Sequence, residues 1–127
     1  MAKKIFFIIL LPLMFNFRLF GMVQADSVDA EKFDELRKTG YVVIDVRTQE
    51  EFNEGHIEGA VLINIHAADF KDKINALDKT GKYLVYCRSG KRSNRAVLMM
   101  NEIGINDALN LIGGITAWKS AGKPVVN

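Results

Sequence analysis

The only cysteine of this 127-residue chain, Cys87, lies between an apolar, strand-like segment and a helix-like one. It is followed by Arg88, Ser89, Gly90, Lys91, Arg92 and Ser93. A thiol becomes a strong nucleophile when it ionises, and nearby cations and the free backbone N–H groups of a helix start favour ionisation. Gly90 can adopt the positive φ that lets successive N–H groups point at one centre. The run therefore predicts an anion-binding loop with Cys87 as nucleophile, and an inert buried cysteine is the alternative.

Strand-like and helix-like segments alternate along the chain and would position this loop. Strands are predicted at residues 41–46, 61–65, 82–86 and 108–112, and helices at 30–38, 48–55, 69–77, 93–103 and 115–121. The run at 41–46 is apolar and β-branched without alternation, which is typical of a strand buried on both faces of a parallel sheet. The order predicts a layered α/β fold. Cys87 then follows the third strand, at the sheet edge where such folds bind ligands.

The first residues resemble a secretory leader. Two lysines precede an apolar stretch over residues 5–15, and the small side chains of Val23 and Ala25 suit cleavage after Ala25. Asn16 and Arg18 interrupt the apolar run before it reaches the roughly 20 residues of a membrane span, although a retained anchor is the alternative. We therefore predict a periplasmic or secreted protein. Its predicted organisation is a signal peptide at residues 1–25 and one domain at residues 26–127.

The charge of the chain belongs largely to this leader. The whole chain has net charge +2, but residues 26–127 keep fourteen basic and fifteen acidic residues, a net charge of −1. Binding to nucleic acid has no electrostatic support, and no stable membrane association is expected after cleavage. A single cysteine cannot form an internal disulfide, although exported proteins often have them. The free thiol therefore suggests chemistry.

Four sequence blocks occur in an order and spacing that resemble the single-domain rhodanese family, of the small periplasmic type. They are Asp45-Val46-Arg47, the decapeptide EFNEGHIEGA at 51–60, the loop that starts at Cys87, and GGITAW at 113–118. The resemblance extends from about Val28 to Trp118. It implies a three-layer α/β fold, with helices on both faces of a mostly parallel sheet, and thiosulfate sulfurtransferase activity.

In that family, the cysteine matching Cys87 attacks the outer sulfur of thiosulfate, expels sulfite and keeps the sulfur as a persulfide. Cyanide or a thiol then removes the sulfur, and a sulfur-accepting protein is a further candidate partner; no cofactor is expected. A dianionic donor needs positive potential beside a thiolate, which Arg88, Lys91 and Arg92 can supply. Backbone N–H groups of Ser89 to Ser93 would stabilise the persulfide anion. One site serving donor and acceptor in turn predicts ping-pong kinetics.

Two other functions remain open from the residues. Phosphatases of the cell-cycle type, which share this fold, place an arginine after five intervening residues, whereas Arg92 follows Cys87 after four. The shorter loop favours sulfur over phosphate or arsenate. A binding module that carries a persulfide without turnover, or senses thiol oxidation, is the other alternative. The animal two-domain rhodaneses carry a lysine where this chain has Ser89, so donor preference stays open.

Several polar residues outside the loop have candidate supporting roles. Asp45 could accept from loop N–H groups or from an arginine, or cap the next turn. Arg47 is interpreted as a structural partner rather than a substrate contact. His56 is interpreted as a hydrogen-bonded structural residue, because a thiolate needs no general base. His66 has no supporting context, and neither histidine has ligand-spaced partners, so no zinc site is predicted.

Overall fold

The computed structural model describes residues 24–127, so residues 1–23 of the predicted leader lie outside the described part. The last residue of the predicted leader, Ala25, is buried, and its N–H donates to Asn94 Oδ1 over 2.9 Å. The predicted cleavage point therefore falls at a residue that contacts the folded domain. None of the helices within residues 24–127 has the length and apolar character of a membrane span.

The described part of the chain is built around a five-stranded, fully parallel sheet with the strand order β1-β5-β4-β2-β3. Its strands are β1 Ser27–Val28, β2 Val42–Asp45, β3 Val61–Leu62, β4 Lys82–Tyr86 and β5 Asp107–Leu111. The predicted parallel sheet is confirmed, and β4 lies in the middle of it. Strand β1 was not predicted, because a strand of two residues is too short to show a hydrophobic pattern.

Within residues 24–127, five helices accompany the strands: α1 Ala30–Arg37, α2 Gln49–Glu54, α3 Phe70–Asn75, α4 Lys91–Glu102 and α5 Gly114–Ser120. The sequence Thr48-Gln49-Glu50-Glu51 at the start of α2 has the pattern of a capping box, and the box is present, because Thr48 and Glu51 each bond the other's backbone N–H. The predicted start of α4 at Ser93 is wrong by two residues. Gly90 is the N-cap with φ 101°, so the helix begins directly after it, at Lys91.

Apolar side chains cover both faces of the sheet. One cluster contains residues of α3 and α4, and the other contains residues of α1 and α5, so the sheet lies between two helical layers. The last residue of β4 and the residue after it point to opposite faces: Tyr86 packs with Phe33 and Trp118, whereas Cys87 packs in the cluster of Met100. The predicted three-layer α/β fold is confirmed. The end of β4 is thus fixed by both layers.

Candidate active site

Cys87 lies at the carboxyl end of the central strand, and the next residues turn around its sulfur into α4. Its Sγ accepts a hydrogen bond from the Gly90 N–H at 3.1 Å and another from the Ser93 hydroxyl at 3.2 Å. The residue is only 1% exposed, and Ser93 is fully buried. The sulfur is therefore contacted on the loop side by hydrogen-bond donors, and it also touches the apolar core.

These donors change the acidity of the thiol. Burial by itself raises the pKa of Cys87, because a thiolate is poorly solvated in the protein interior. Hydrogen bonds from the Ser93 hydroxyl and from the backbone N–H groups of Ser93, Gly90 and Ser89 outweigh burial and hold the pKa below its ordinary value. The loop therefore favours the nucleophilic form of the sulfur.

The start of α5 holds the loop from behind. The N–H groups of Ile115 and Thr116 donate to the carbonyl oxygens of Cys87 and Arg88, at 2.9 and 3.2 Å. These bonds fix the first two carbonyl groups of the loop against α5. Gly114 makes this approach possible: a Cβ there would lie 2.4 Å from the Arg88 oxygen and 2.6 Å from the Cys87 oxygen, and its φ is +59°. The Gly-Gly pair of the fourth sequence block therefore shapes the nucleophile loop.

The three loop cations differ in their surroundings. Arg88 and Lys91 are exposed. Arg92 instead forms a bidentate ion pair with Glu51, with Nη1 to Oε1 at 2.7 Å and Nη2 to Oε2 at 2.9 Å. Its predicted role in donor binding stays a prediction, but within the described residues its guanidinium is already engaged by a carboxylate. The pairing joins α2 to α4, whose paired residues are 41 positions apart in the chain.

Asp45 and Arg47 form a buried ion pair beneath this region. The Arg47 guanidinium donates to both Asp45 oxygens at 2.7–3.0 Å and to the Gly55 carbonyl at 2.7 Å, and the Arg47 N–H donates to Asp45 as well. Asp45 thus serves both as the arginine acceptor and as the cap of the following turn, two of the alternatives left open above. The guanidinium also lies over the Tyr86 ring at 5.5 Å. Both residues support the end of β4.

Two clefts flank the loop. One, of about 320 Å³, is lined on the β5 side by residues that include Lys91, Asn94 and Asn110. The other, of about 340 Å³, lies on the α2 and α5 side and combines basic and acidic side chains. Its charged residues are Arg47, Arg88, Lys119, Glu51 and Glu54. The loop is therefore bordered by two differently charged surfaces, and Ser89 and Gly90 line the first.

The histidines lie apart from this chemistry. His56 Nδ1 is 3.0 Å from the Phe52 carbonyl, and the two rings stack with centroids 3.7 Å apart. Its backbone pairs with Val126. This environment agrees with the structural interpretation of His56, and His66 is exposed. Across residues 24–127, no three His, Cys, Asp or Glu side chains are grouped to hold a metal ion.

Three residues of the site were not assigned a role from the sequence. Glu51 binds the loop arginine, Gly114 permits the contact with α5, and the Asn110 amide donates to the Gly90 carbonyl at 3.4 Å. Glu51 and Gly114 both lie in the family-like blocks, which was the available signal. Their contacts join distant segments, so no local pattern could identify them.

Comparison with known proteins agrees with this geometry. The family model described as "Rhodanese-like domain" matches residues 29–121. That range covers most of the chain and includes the Cys87 loop, the Asp45–Arg47 pair and the glycines that begin α5. The chain belongs to the rhodanese-like domain family.

Individual relatives and solved structures are consistent with this. The chain is 33% identical over 100 residues to "Thiosulfate sulfurtransferase GlpE" of Pseudomonas fluorescens, covering 78% of this chain and 89% of that protein. It is 32% identical over 111 residues to "Thiosulfate sulfurtransferase 18" of Arabidopsis thaliana, covering 78% and 82%. A rhodanese-related protein of Thermoplasma volcanium superposes with TM-score 0.72 at 34% identity, covering 80% of this chain and 97% of that one.

Proposed function

We propose that this protein is a sulfurtransferase in which Cys87 carries sulfur as a persulfide. The Cys87 thiolate attacks the terminal sulfur of thiosulfate or a similar anionic donor. The S–S bond of the donor breaks, and sulfite leaves with the electron pair, so charge is conserved. Cyanide or a thiolate then attacks the outer sulfur of the persulfide and regenerates the Cys87 thiolate, which gives ping-pong kinetics.

The observation that carries this proposal is the ring of donors around one enclosed sulfur. The Gly90 N–H and the Ser93 hydroxyl contact Sγ at 3.1 and 3.2 Å. Preorganised donors stabilise an anion better than water does, because they need no reorientation when charge moves. A thiolate and a persulfide are both anions, so the same loop suits both resting states of the cycle. Relatives that carry sulfurtransferase names support the same reaction class.

The experiment is a two-step mass measurement on the intact protein. Thiosulfate should add the mass of one sulfur atom, and cyanide should then remove it and release thiocyanate. A sulfur gain that neither cyanide nor thiols remove would favour a persulfide-carrying binding module instead. No gain with any sulfur donor would overturn the proposed reaction.

Cys87→Ser provides the first prediction and the control for this experiment. The variant should gain no sulfur and show no turnover, because the attacking atom is lost. Its unfolding temperature should stay close to that of the wild type, since the hydroxyl fits in the space of the thiol and can accept from the same Gly90 and Ser93 donors, and the loop is also fixed by α5. Turnover retained in Cys87→Ser would contradict the mechanism.

We also propose export to the periplasm or beyond, on the basis of the leader-like sequence at residues 1–25. Cell fractionation followed by mass analysis of the purified protein tests this proposal and locates the cleavage. Cleavage after Ala25 would remove its buried side chain and its bond to Asn94. A cytoplasmic, uncleaved protein would overturn it.

A further inference from the structure

The bidentate pair between Arg92 and Glu51 has a consequence for the choice of sulfur donor. A carboxylate adjoins the nucleophile loop and neutralises one of its three cations. We propose that Glu51 sets the charge of the donor, so that the site favours sulfane-sulfur donors with a single negative charge over dianions such as thiosulfate. This inference rests on the proposed sulfur transfer and names its donor class.

Glu51 is held in place rather than mobile at the surface. Its Oε1 accepts from Arg92 Nη1 at 2.7 Å and also from the Thr48 N–H at 3.3 Å and hydroxyl at 3.2 Å. Both ion-pair side chains are only about a quarter exposed, at 24% and 26%. A bidentate pair fixed by a third group keeps its geometry, unlike most surface ion pairs.

The carboxylate is also ionised under all physiological conditions. The hydrogen bonds from Arg92 are the largest influence, and they lower the pKa of Glu51 to about 2 despite partial burial. The Arg92 charge is therefore cancelled at neutral pH. Arg92 belongs to the first turn of α4, beside the Cys87 loop, and its hydrogen bonds to Glu51 are the main reason that the pKa of its guanidinium is raised, with a smaller contribution from the Cys87 charge.

Glu51 and Glu54 line the same cleft as Arg88 and Lys119. An anion drawn into this cleft by Arg88 and Lys119 lies beside the carboxylates of Glu51 and Glu54 and is repelled by them. The resulting repulsion grows with the charge of the donor, because Coulomb energy is proportional to each charge. A dianion is thus penalised more than a monoanion of similar size.

Thiosulfate and methanethiosulfonate are the matched probes for this test. Each presents a terminal sulfur bonded to a sulfonyl-type sulfur, but methanethiosulfonate has a methyl group in place of one anionic oxygen. With this donor, the Cys87 thiolate attacks the terminal sulfur, the S–S bond breaks, and methanesulfinate leaves with the electron pair. The rate of sulfur loading is measured for each donor by single-turnover mass analysis. The values of kcat/KM are measured in the steady state, with cyanide as the acceptor for both donors.

Glu51→Gln removes the charge while the amide can still cap α2. We expect kcat/KM to rise about tenfold for thiosulfate and about threefold for methanethiosulfonate, with most of the change in KM and smaller gains at high salt. Glu50→Gln is the control: it makes the same charge change on the same helix, at an exposed residue outside the cleft. It should alter either value less than twofold.

The outcomes separate this inference from the proposed function. If wild-type protein takes sulfur from neither donor, the sulfur-transfer mechanism fails and the inference fails with it. If loading proceeds but Glu51→Gln leaves the ratio of the two donors unchanged, or lowers kcat/KM for both, Glu51 only orients Arg92 and the inference alone is wrong. An equal shift in Glu50→Gln would also overturn it, because the effect would then be one of net charge.

Discussion

Cys87 combines burial with a lowered pKa, two properties that usually oppose each other. An apolar environment disfavours a thiolate, but three residues of the loop direct N–H or O–H groups at the sulfur. Charge–charge attraction is not needed for this effect, since Arg92 is occupied by Glu51. The acidity of the thiol therefore depends mainly on short hydrogen bonds, and the cations can serve the donor instead.

Ser93→Ala tests this at the level of one hydrogen bond. Removing the hydroxyl at 3.2 Å takes away a donor that stabilises the thiolate, so the pKa of Cys87 should rise. At a pH below that pKa the thiolate fraction falls, and the acid limb of the rate of sulfur loading should move to higher pH. Thiolate ultraviolet absorbance measured against pH gives the same quantity independently.

Ser89→Ala is the matched control for this prediction. Ser89 is exposed and supplies only its backbone N–H to the thiolate, which alanine retains. The pH profile should therefore stay where it is in the wild type. Equal shifts in the two serine variants would show that the Ser93 hydroxyl has no specific role.

At the scale of elements, the loop is shaped by two helix starts that meet it from different sides. Gly90 caps α4 in the left-handed region, and Gly114 lets the first N–H groups of α5 reach the carbonyls of Cys87 and Arg88. With those carbonyls bonded to α5, the backbone of the loop is held in the conformation that places the Gly90 N–H on the sulfur. Gly114, in the fourth sequence block, thus shapes the loop of the third block, which carries the nucleophile Cys87.

Gly114→Ala should damage both stability and sulfur loading. The new Cβ would lie 2.4 Å from a backbone oxygen, at a position with φ +59°, so the loop must move. We expect a loss of about 2–4 kcal/mol in the free energy of unfolding, measured by urea denaturation, and slower persulfide formation.

Gly122→Ala separates the contact from the backbone conformation. Gly122 also has a positive φ, +75°, but a Cβ there would meet nothing within 4 Å. Its cost should be only the left-handed strain, about 1 kcal/mol, with sulfur loading unchanged. If the two variants lose the same stability and activity, the close approach of α5 is not what shapes the loop.

The sequence predicted the elements far better than the contacts between them. Apolar runs and the Thr48 capping box are local patterns, so four strands and five helices could be located within a few residues. The two-residue β1 is too short to show periodicity. The start of α4 could not be located exactly, because it depends on the backbone conformation of Gly90. The pairing of Arg92 with Glu51 exists only after α2 and α4 are placed on the sheet. The sequence therefore suggested that Arg92 is a free cation, whereas in the structure it is paired with Glu51.

At the scale of the whole molecule, the two apolar layers and the Arg92–Glu51 ion pair hold the site in place and also contribute to the free energy of unfolding. The layers are separated by the sheet, and the Arg92–Glu51 pair bridges α2 and α4 outside them. The carboxyl of Glu51 has a pKa of about 2 in the folded protein and an ordinary value of 4.5. Folding therefore favours its charged form.

This linkage predicts a specific acid sensitivity. Because the folded pKa is the lower one, the pair contributes stability above pH 4.5, and this contribution is lost as pH falls toward 2. The expected size is about 2 kcal/mol after allowing for partial solvent screening. Urea denaturation of wild type and Glu51→Gln between pH 7 and pH 2 measures it. The stability difference between the two proteins should shrink by that amount, and a difference that is constant with pH would contradict the assignment.

The alternation of β4 has one more effect on how this protein tolerates change. Tyr86 belongs to one apolar layer and Cys87, the next residue, to the other. A change of side-chain volume in either apolar layer can therefore shift the sulfur, because only one peptide unit separates Tyr86 from Cys87. The position of the Cys87 sulfur therefore depends on the packing of both apolar layers. A substitution that changes side-chain volume in either layer should change the rate of the reaction.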